Sequence, residues 1–119
     1  MHEMTKHYLI AALWSSTDQS NEQGGDPLDQ NYDLEDIAQE SIDQAERDCL
    51  AFLSTYLDVI GTHYEQAGHD FWLTRNRHGV GFWECDRPWG ENGRILSNAA
   101  HAFRELSPVV GDNGKIYFE

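Results

Sequence analysis

Positive charge is what this sequence is short of. Eight Lys and Arg stand against 21 Asp and Glu, a formal net charge of −13. A field of that size repels nucleic acid and anionic membranes and attracts basic surfaces, so direct nucleic-acid or membrane binding is not expected. Cysteine is also sparse. Cys49 and Cys85 stand alone with no Cys-x-x-Cys spacing, and small secreted scaffolds usually carry more, so both are read as reduced thiols, with Cys49 in the core. No run of about 18 apolar residues is available to span a bilayer. The opening Met1-His2-Glu3-Met4-Thr5-Lys6 lacks the basic start and cleavage pattern of a secretory signal. The expected compartment is therefore the cytoplasm.

Core-forming material is present in quantity. Of 119 residues, 39% are apolar and 12% aromatic, enough to fold one domain over residues 1–119 and too few for two. The acids are unevenly spread. Residues 1–66 hold 14 acids against Lys6 and Arg47, a net of −12, while residues 67–119 hold 7 acids against 6 bases, a net of −1.

Periodicity assigns the elements. Tyr8, Leu9, Ala12 and Leu13 recur at helical spacing within Thr5–Trp14. From Gln39 to Ile60, the residues Ile42, Ala45, Cys49, Phe52, Leu53, Tyr56 and Ile60 fall on one helical face, with Gly61 as the stop. Arg94–Leu106 carries Leu96, Ala99, Ala100, Phe103 and Leu106 at the same spacing. Between the first two helices, 17–32 is polar and centred on Gly24-Gly25-Asp26-Pro27, which reads as a long exposed loop.

Two aromatic, β-rich stretches, Asp70–Thr74 and Val80–Glu84, flank Arg75-Asn76-Arg77-His78-Gly79 and predict a β-hairpin. Val109-Val110 and Lys115–Phe118 around Gly111-Asp112-Asn113-Gly114 predict a second. The expected class is α+β, with a small antiparallel sheet of two hairpins packed against two or three helices and an acidic segment exposed over 17–48.

That segment carries Asp18, Glu22, Asp26, Asp29, Asp33, Glu35, Asp36, Glu40, Asp43, Glu46 and Asp48 against Arg47 alone. Charge runs are usually solvated surface. Clustered like charges also repel one another, however, so a small domain that tolerates them is suited to a basic partner. If 29–43 is helical, Asp29, Asp33, Asp36, Glu40 and Asp43 recur every three or four residues, about 5 Å of rise per step, and form a phosphate-like row.

The block Ala67-Gly68-His69-Asp70-Phe71-Trp72-Leu73-Thr74-Arg75-Asn76-Arg77-His78-Gly79-Val80-Gly81-Phe82-Trp83 resembles a family of small acidic bacteriophage proteins. The likeness extends to Tyr8–Asp18, Leu28–Asp33 and Val110–Tyr117 and so covers most of the chain. The chain also resembles a phage inhibitor of bacterial DNA gyrase that acts as a mimic of double-stranded DNA. The resemblance implies a phage-encoded, non-enzymatic inhibitor acting in the host cytoplasm without cofactor or metal. Its partner would be a basic DNA-binding host protein, gyrase first, with a restriction or CRISPR nuclease as the alternative. A homodimer would lengthen the acidic row.

His63, His69, Asp70, His78, Glu84, Cys85 and Asp86 offer a competing reading. A small metal-dependent hydrolase would centre on His69, Asp70 and His78, but the spacing matches no ligand signature. The structural alternative assigns Asp70, Arg75 and Asn76 to turn and cross-strand hydrogen bonds. Trp72, Trp83, Phe71 and Phe82 are read as packing residues, since a stacking platform for single strands needs a basic groove, with one aromatic of each strand pair in the core and the other over a helix or a dimer partner.

Overall fold

The computed structural model describes residues 1–18 and 25–119. Its elements run α1 (Glu3–Ser15), α2 (Leu28–Asn31), a 3₁₀ turn (Leu34–Asp36), α3 (Gln39–Thr55), α4 (Leu57–Ile60), α5 (Tyr64–Arg75), a second 3₁₀ turn (Gly90–Asn92), α6 (Gly93–His101), β1 (Pro108–Val110) and β2 (Ile116–Phe118). The fold is α+β as expected, with helices dominating one small antiparallel sheet.

α1 is the central rod. Met4, Thr5, Tyr8, Leu9, Ala11, Ala12 and Leu13 are all buried along it, a distribution wider than one stripe that belongs to a helix covered on most sides. Glu46 of α3 holds its start: the carboxylate accepts from the His2 backbone N–H at 3.0 Å and from Thr5 Oγ1 at 3.1 Å. A carboxylate at a helix N-terminus meets both free N–H groups and the positive end of the dipole.

α5 lies beside α1 and runs in the same direction, since His2 meets Tyr64 at one end and Trp72 donates to Ser15 Oγ near the other. The two backbones touch at Gly68, where a Cβ would collide with the Met4 carbonyl oxygen and stand 2.8 Å from the Tyr8 nitrogen. Only glycine permits that approach.

The predicted first hairpin is absent. Asp70–Thr74 belongs to α5, and Val80–Glu84 lies in the irregular connection that follows it. Phe71, Trp72, Leu73 and Thr74 are all buried, because α5 is enclosed from several sides. Phe71 packs on Phe52, Tyr8 and Phe103, while Trp72 meets Tyr8 and Phe118. A short apolar run has no periodicity with which to tell buried helix from buried strand. The connection folds back on α5: Thr74 Oγ1 accepts from the Phe82 N–H at 3.2 Å, and the space beside it leaves no room for a Cβ on Gly81.

The second hairpin is present, with Pro108 opposite Phe118, Val109 opposite Tyr117 and Val110 opposite Ile116. Ile37 bridges to Ile116 on the far edge of β2, and the Ala38 N–H donates to the Ile116 carbonyl at 2.8 Å. The predicted helix over 39–60 breaks at Tyr56 (φ −116°, ψ 27°), and the last helix stops at His101, short of Leu106. Among the described residues no helix is long and apolar enough to cross a membrane.

Candidate functional site

The acidic segment does not form one helix. α2 ends at Asn31, Tyr32 and Asp33 are extended, a 3₁₀ turn follows, and Ile37-Ala38 are extended again before α3 begins. The even row proposed for Asp29, Asp33, Asp36, Glu40 and Asp43 therefore lacks the helical frame that its spacing assumed. Local chemistry explains the breaks. Asp33 and Asp36 form a capping box, the Asp33 side chain accepting from the Glu35 N–H at 2.9 Å and the Asp36 carboxylate from the Asp33 N–H at 2.9 Å. Asp side chains favour such caps over helix interiors. Leu28 and Ile37 bury themselves on either side of the turn and fix the segment's path.

Exposure sorts the candidate residues. Asp26, Asp29, Asp33, Glu35, Glu40 and Asp43 are exposed and Asp36 is half-buried. Asp18 is buried, and Glu22 lies outside the described residues. Part of the expected exposed loop is tied down: Thr17 bridges to Pro27, and the Leu28 N–H donates to the Ser16 carbonyl at 2.9 Å. Asp48 leaves the exposed set, because its carboxylate takes the Arg75 guanidinium at 2.6 Å. Within the segment 26–43, among the described residues, none of the seven carboxylates has a cation within salt-bridge distance.

Two of the eight cations, Arg75 and Arg87, are spent inside, and the other six are exposed. Arg75 is almost completely buried. Besides Asp48 it donates to Tyr8 Oη at 3.1 Å and to the Arg104 carbonyl at 2.7 Å, and its guanidinium lies over the Phe103 ring at 5.2 Å. Burial pushes the Tyr8 hydroxyl's pKa up despite the Arg75 charge, and burial does the same to the neighbouring Cys49 thiol. Both stay protonated at neutral pH, so Cys49 is an unreactive core residue. Cys85 is exposed.

Asp70 forms the second internal cluster. Its buried carboxylate accepts from Arg87 Nε at 2.9 and 3.0 Å, Trp89 Nε1 at 3.0 Å and Gln66 Nε2 at 3.0 Å, with His69 Nδ1 at 3.3 Å. Burial opposes the charge on Arg87, but the Asp70 bonds and charge, with Asp86, outweigh it and raise the guanidinium pKa. Asp70 is thus an anchor that ties the 76–92 connection to α5. Among the described residues no three His, Cys, Asp or Glu side chains are grouped to hold a metal ion. His69, Asp70 and His78 form no such group among the described residues, and His78 follows the end of α5, its backbone N–H bonded to the Leu73 carbonyl.

Sequence reasoning missed the roles of Arg75 and Arg87, whose partners lie 27 and 17 residues away, and it missed the exposure of Trp14. That residue projects from α1 at 43% exposure and stacks on His69 with centroids 5.5 Å apart. Comparison with protein-family models, curated proteins and solved structures finds no match to this chain.

Proposed function

We propose that this chain is a phage-encoded, non-catalytic protein that imitates the charge of duplex DNA. It occupies the basic DNA-binding surface of a host enzyme, with DNA gyrase as the first target. The observation that carries the reading is the allocation of charge. The half-buried Asp48 and the buried Asp70 take Arg75 and Arg87, while among the described residues Asp26, Asp29, Asp33, Glu35, Asp36, Glu40 and Asp43 have no cation within salt-bridge distance of their carboxylates. Unneutralised carboxylates on a folded scaffold repel one another and gain by meeting Lys and Arg.

Dimensions are compatible with this. The molecule is 43 Å in its longest direction, and that length of duplex carries roughly 25 phosphate charges over two strands. A net −13 is about the charge that one strand presents over the same distance.

The test is competition. Purified gyrase bound to a labelled duplex is titrated with this protein at rising salt. Mimicry gives displacement of the DNA that weakens steeply as salt rises. Replacing Asp29, Asp33, Glu35, Glu40 and Asp43 with Asn or Gln lowers competition by about ten-fold, the sum of five exposed pairs at roughly 0.3 kcal/mol each. Undiminished competition by the amide variant, or simultaneous binding of protein and duplex, rejects the proposal. The same titration on a restriction or CRISPR nuclease separates the targets.

A further inference from the structure

Two asparagines of the chain precede glycine, and their neighbours match: Glu91-Asn92-Gly93-Arg94 and Asp112-Asn113-Gly114-Lys115. Asparagine before glycine is the pair most open to internal attack on the side-chain amide, because no Cβ shields the glycine nitrogen. The attack brings that nitrogen onto the asparagine Cγ, so the peptide unit between the two residues has to turn out of its place in the fold. With acid, glycine and base placed alike in sequence, the surroundings set the two rates apart.

Asn92 is locked. Its backbone is helical (φ −71°, ψ −14°), the Gly93 N–H donates to the Gly90 carbonyl, and the Gly93 carbonyl accepts from Ser97 Oγ at 2.8 Å. Gly93 is buried, and a Cβ there would collide with the Phe82 carbonyl oxygen. Turning this peptide unit opens the start of α6. Asn113 sits instead at the exposed tip of the second hairpin. The Gly111 N–H bonds the Lys115 carbonyl and the Gly114 N–H bonds the Gly111 carbonyl, with Gly114 at φ 78°, a three-residue turn closed by glycine in the left-handed position. A Cβ on Gly114 would meet nothing within 4 Å. The asparagine side chain is held by exposed bonds: Oδ1 accepts from the Lys115 N–H at 2.9 Å and Nδ2 donates to Tyr117 Oη at 2.8 Å. A ribbon of two short strands opens at its tip at low cost.

We infer that Asn113 is a site of spontaneous deamidation in the folded protein and that Tyr117 acts as its brake. The Gly114 nitrogen gives its proton to solvent and bonds to Asn113 Cγ, the Cγ–Nδ2 bond breaks, and Nδ2 leaves as ammonia with a proton taken from water. Water then opens the cyclic imide at either of its carbonyls and gives aspartate or isoaspartate, with nothing oxidised or reduced. Either product adds a carboxylate beside Asp112. Isoaspartate also brings the side-chain Cβ into the main chain and lengthens the loop that the Gly111–Lys115 pair closes. β2 carries that change to the acidic segment, since Ile116 bridges to Ile37, the Ala38 N–H donates to the Ile116 carbonyl at 2.8 Å and Lys115 Nζ donates to the Glu35 carbonyl at 3.2 Å. The modification does not depend on which partner that segment meets.

The full chain, folded or in guanidinium chloride, is held in mildly alkaline buffer. Conversion of amide to acid is followed at each asparagine by peptide mass spectrometry, with electron-transfer fragmentation to tell isoaspartate from aspartate. In the folded chain Asn113 converts at least about ten-fold faster than Asn92, equivalent to about 1.4 kcal/mol of extra opening cost at Asn92, and in guanidinium chloride the two rates converge. Tyr117→Phe speeds conversion at Asn113 by about two- to ten-fold, the range that one net hydrogen bond provides, while an unchanged slow rate at Asn92 reports an intact fold. In the isoaspartyl product, separated by anion exchange, the Ala38 N–H exchanges with deuterium faster than in the parent. Conversion at Asn92 that matches or exceeds that at Asn113, no conversion at Asn113 while the unfolded chain reacts, or a difference that persists in guanidinium chloride overturns the inference. A Tyr117→Phe rate equal to the parent's overturns the brake, and unchanged Ala38 exchange overturns the link to the acidic segment.

Discussion

Asp70 accepts hydrogen bonds from α5 itself and from two residues of the connection that follows, Arg87 and Trp89. Exchange for Asn keeps the shape and removes the charge, which leaves a guanidinium only 13% exposed with the exposed Asp86 as its one remaining acidic partner among the described residues. Breaking a buried pair from one side costs about 3 kcal/mol or more. Asp70→Asn is therefore expected to lower the unfolding free energy by that amount, read as a lower urea midpoint at constant slope, while Asp43→Asn on the exposed face stays within about 0.5 kcal/mol. A midpoint for Asp70→Asn indistinguishable from the parent would show that the clasp does not hold the connection in place. Nothing near His69-Asp70 in the chain announces this role, because an acid beside a histidine reads equally as a catalytic pair until its partners are located.

α5 ends through hydrogen bonds that its sequence disguises. The Arg77 N–H donates to the Thr74 carbonyl and the His78 N–H to that of Leu73, with Arg77 at φ 58°. This is a Schellman stop, in which glycine usually takes the left-handed position. A side chain there costs about 1 kcal/mol, and the pair it gains with Glu105 is exposed on both sides and worth little. Arg77→Gly is expected to raise stability by about 0.5 kcal/mol in chemical denaturation, and a loss would mean that the pair outweighs the strain. Without a glycine at that place, and with four consecutive β-favouring residues before it, the helix looks like a strand. Its identity comes from neighbours on several sides rather than from propensity. The second hairpin, by contrast, carries its turn residues in the expected order and could be read directly.

Across the whole chain, unpaired acids push against one another. Raising salt from about 0.01 M to about 0.15 M shortens the screening length from about 30 Å to about 8 Å. The thermal midpoint measured by calorimetry is then expected to rise by at least about 4 °C, equivalent to about 1 kcal/mol for a domain of this size. A flat or falling midpoint would show that the surface carboxylates are too far apart to repel, and would weaken the case for a dense anionic face. Composition made this property legible before any coordinate was known, since net charge does not depend on how the chain folds. It did not reveal which acids are surface and which are structural: Asp48 and Asp29 differ in no local way, yet only Asp48 meets a buried arginine.

The class of fold, the helical character of 3–15 and 39–55, the final hairpin and the anionic character of the N-terminal half follow from local pattern and from sums over residues, which need no knowledge of what lies far away in the chain. The helix at 64–75, the broken path of 28–38, the removal of Asp18 and Asp48 from the exposed set and the pairing of Trp14 with His69 do not. Each depends on contacts between residues distant in sequence, such as Met4 with Gly68, Asp48 with Arg75 and Ile37 with Ile116. In these places the free energy of burial exceeds the few tenths of a kcal/mol by which neighbouring residues prefer one backbone conformation over another.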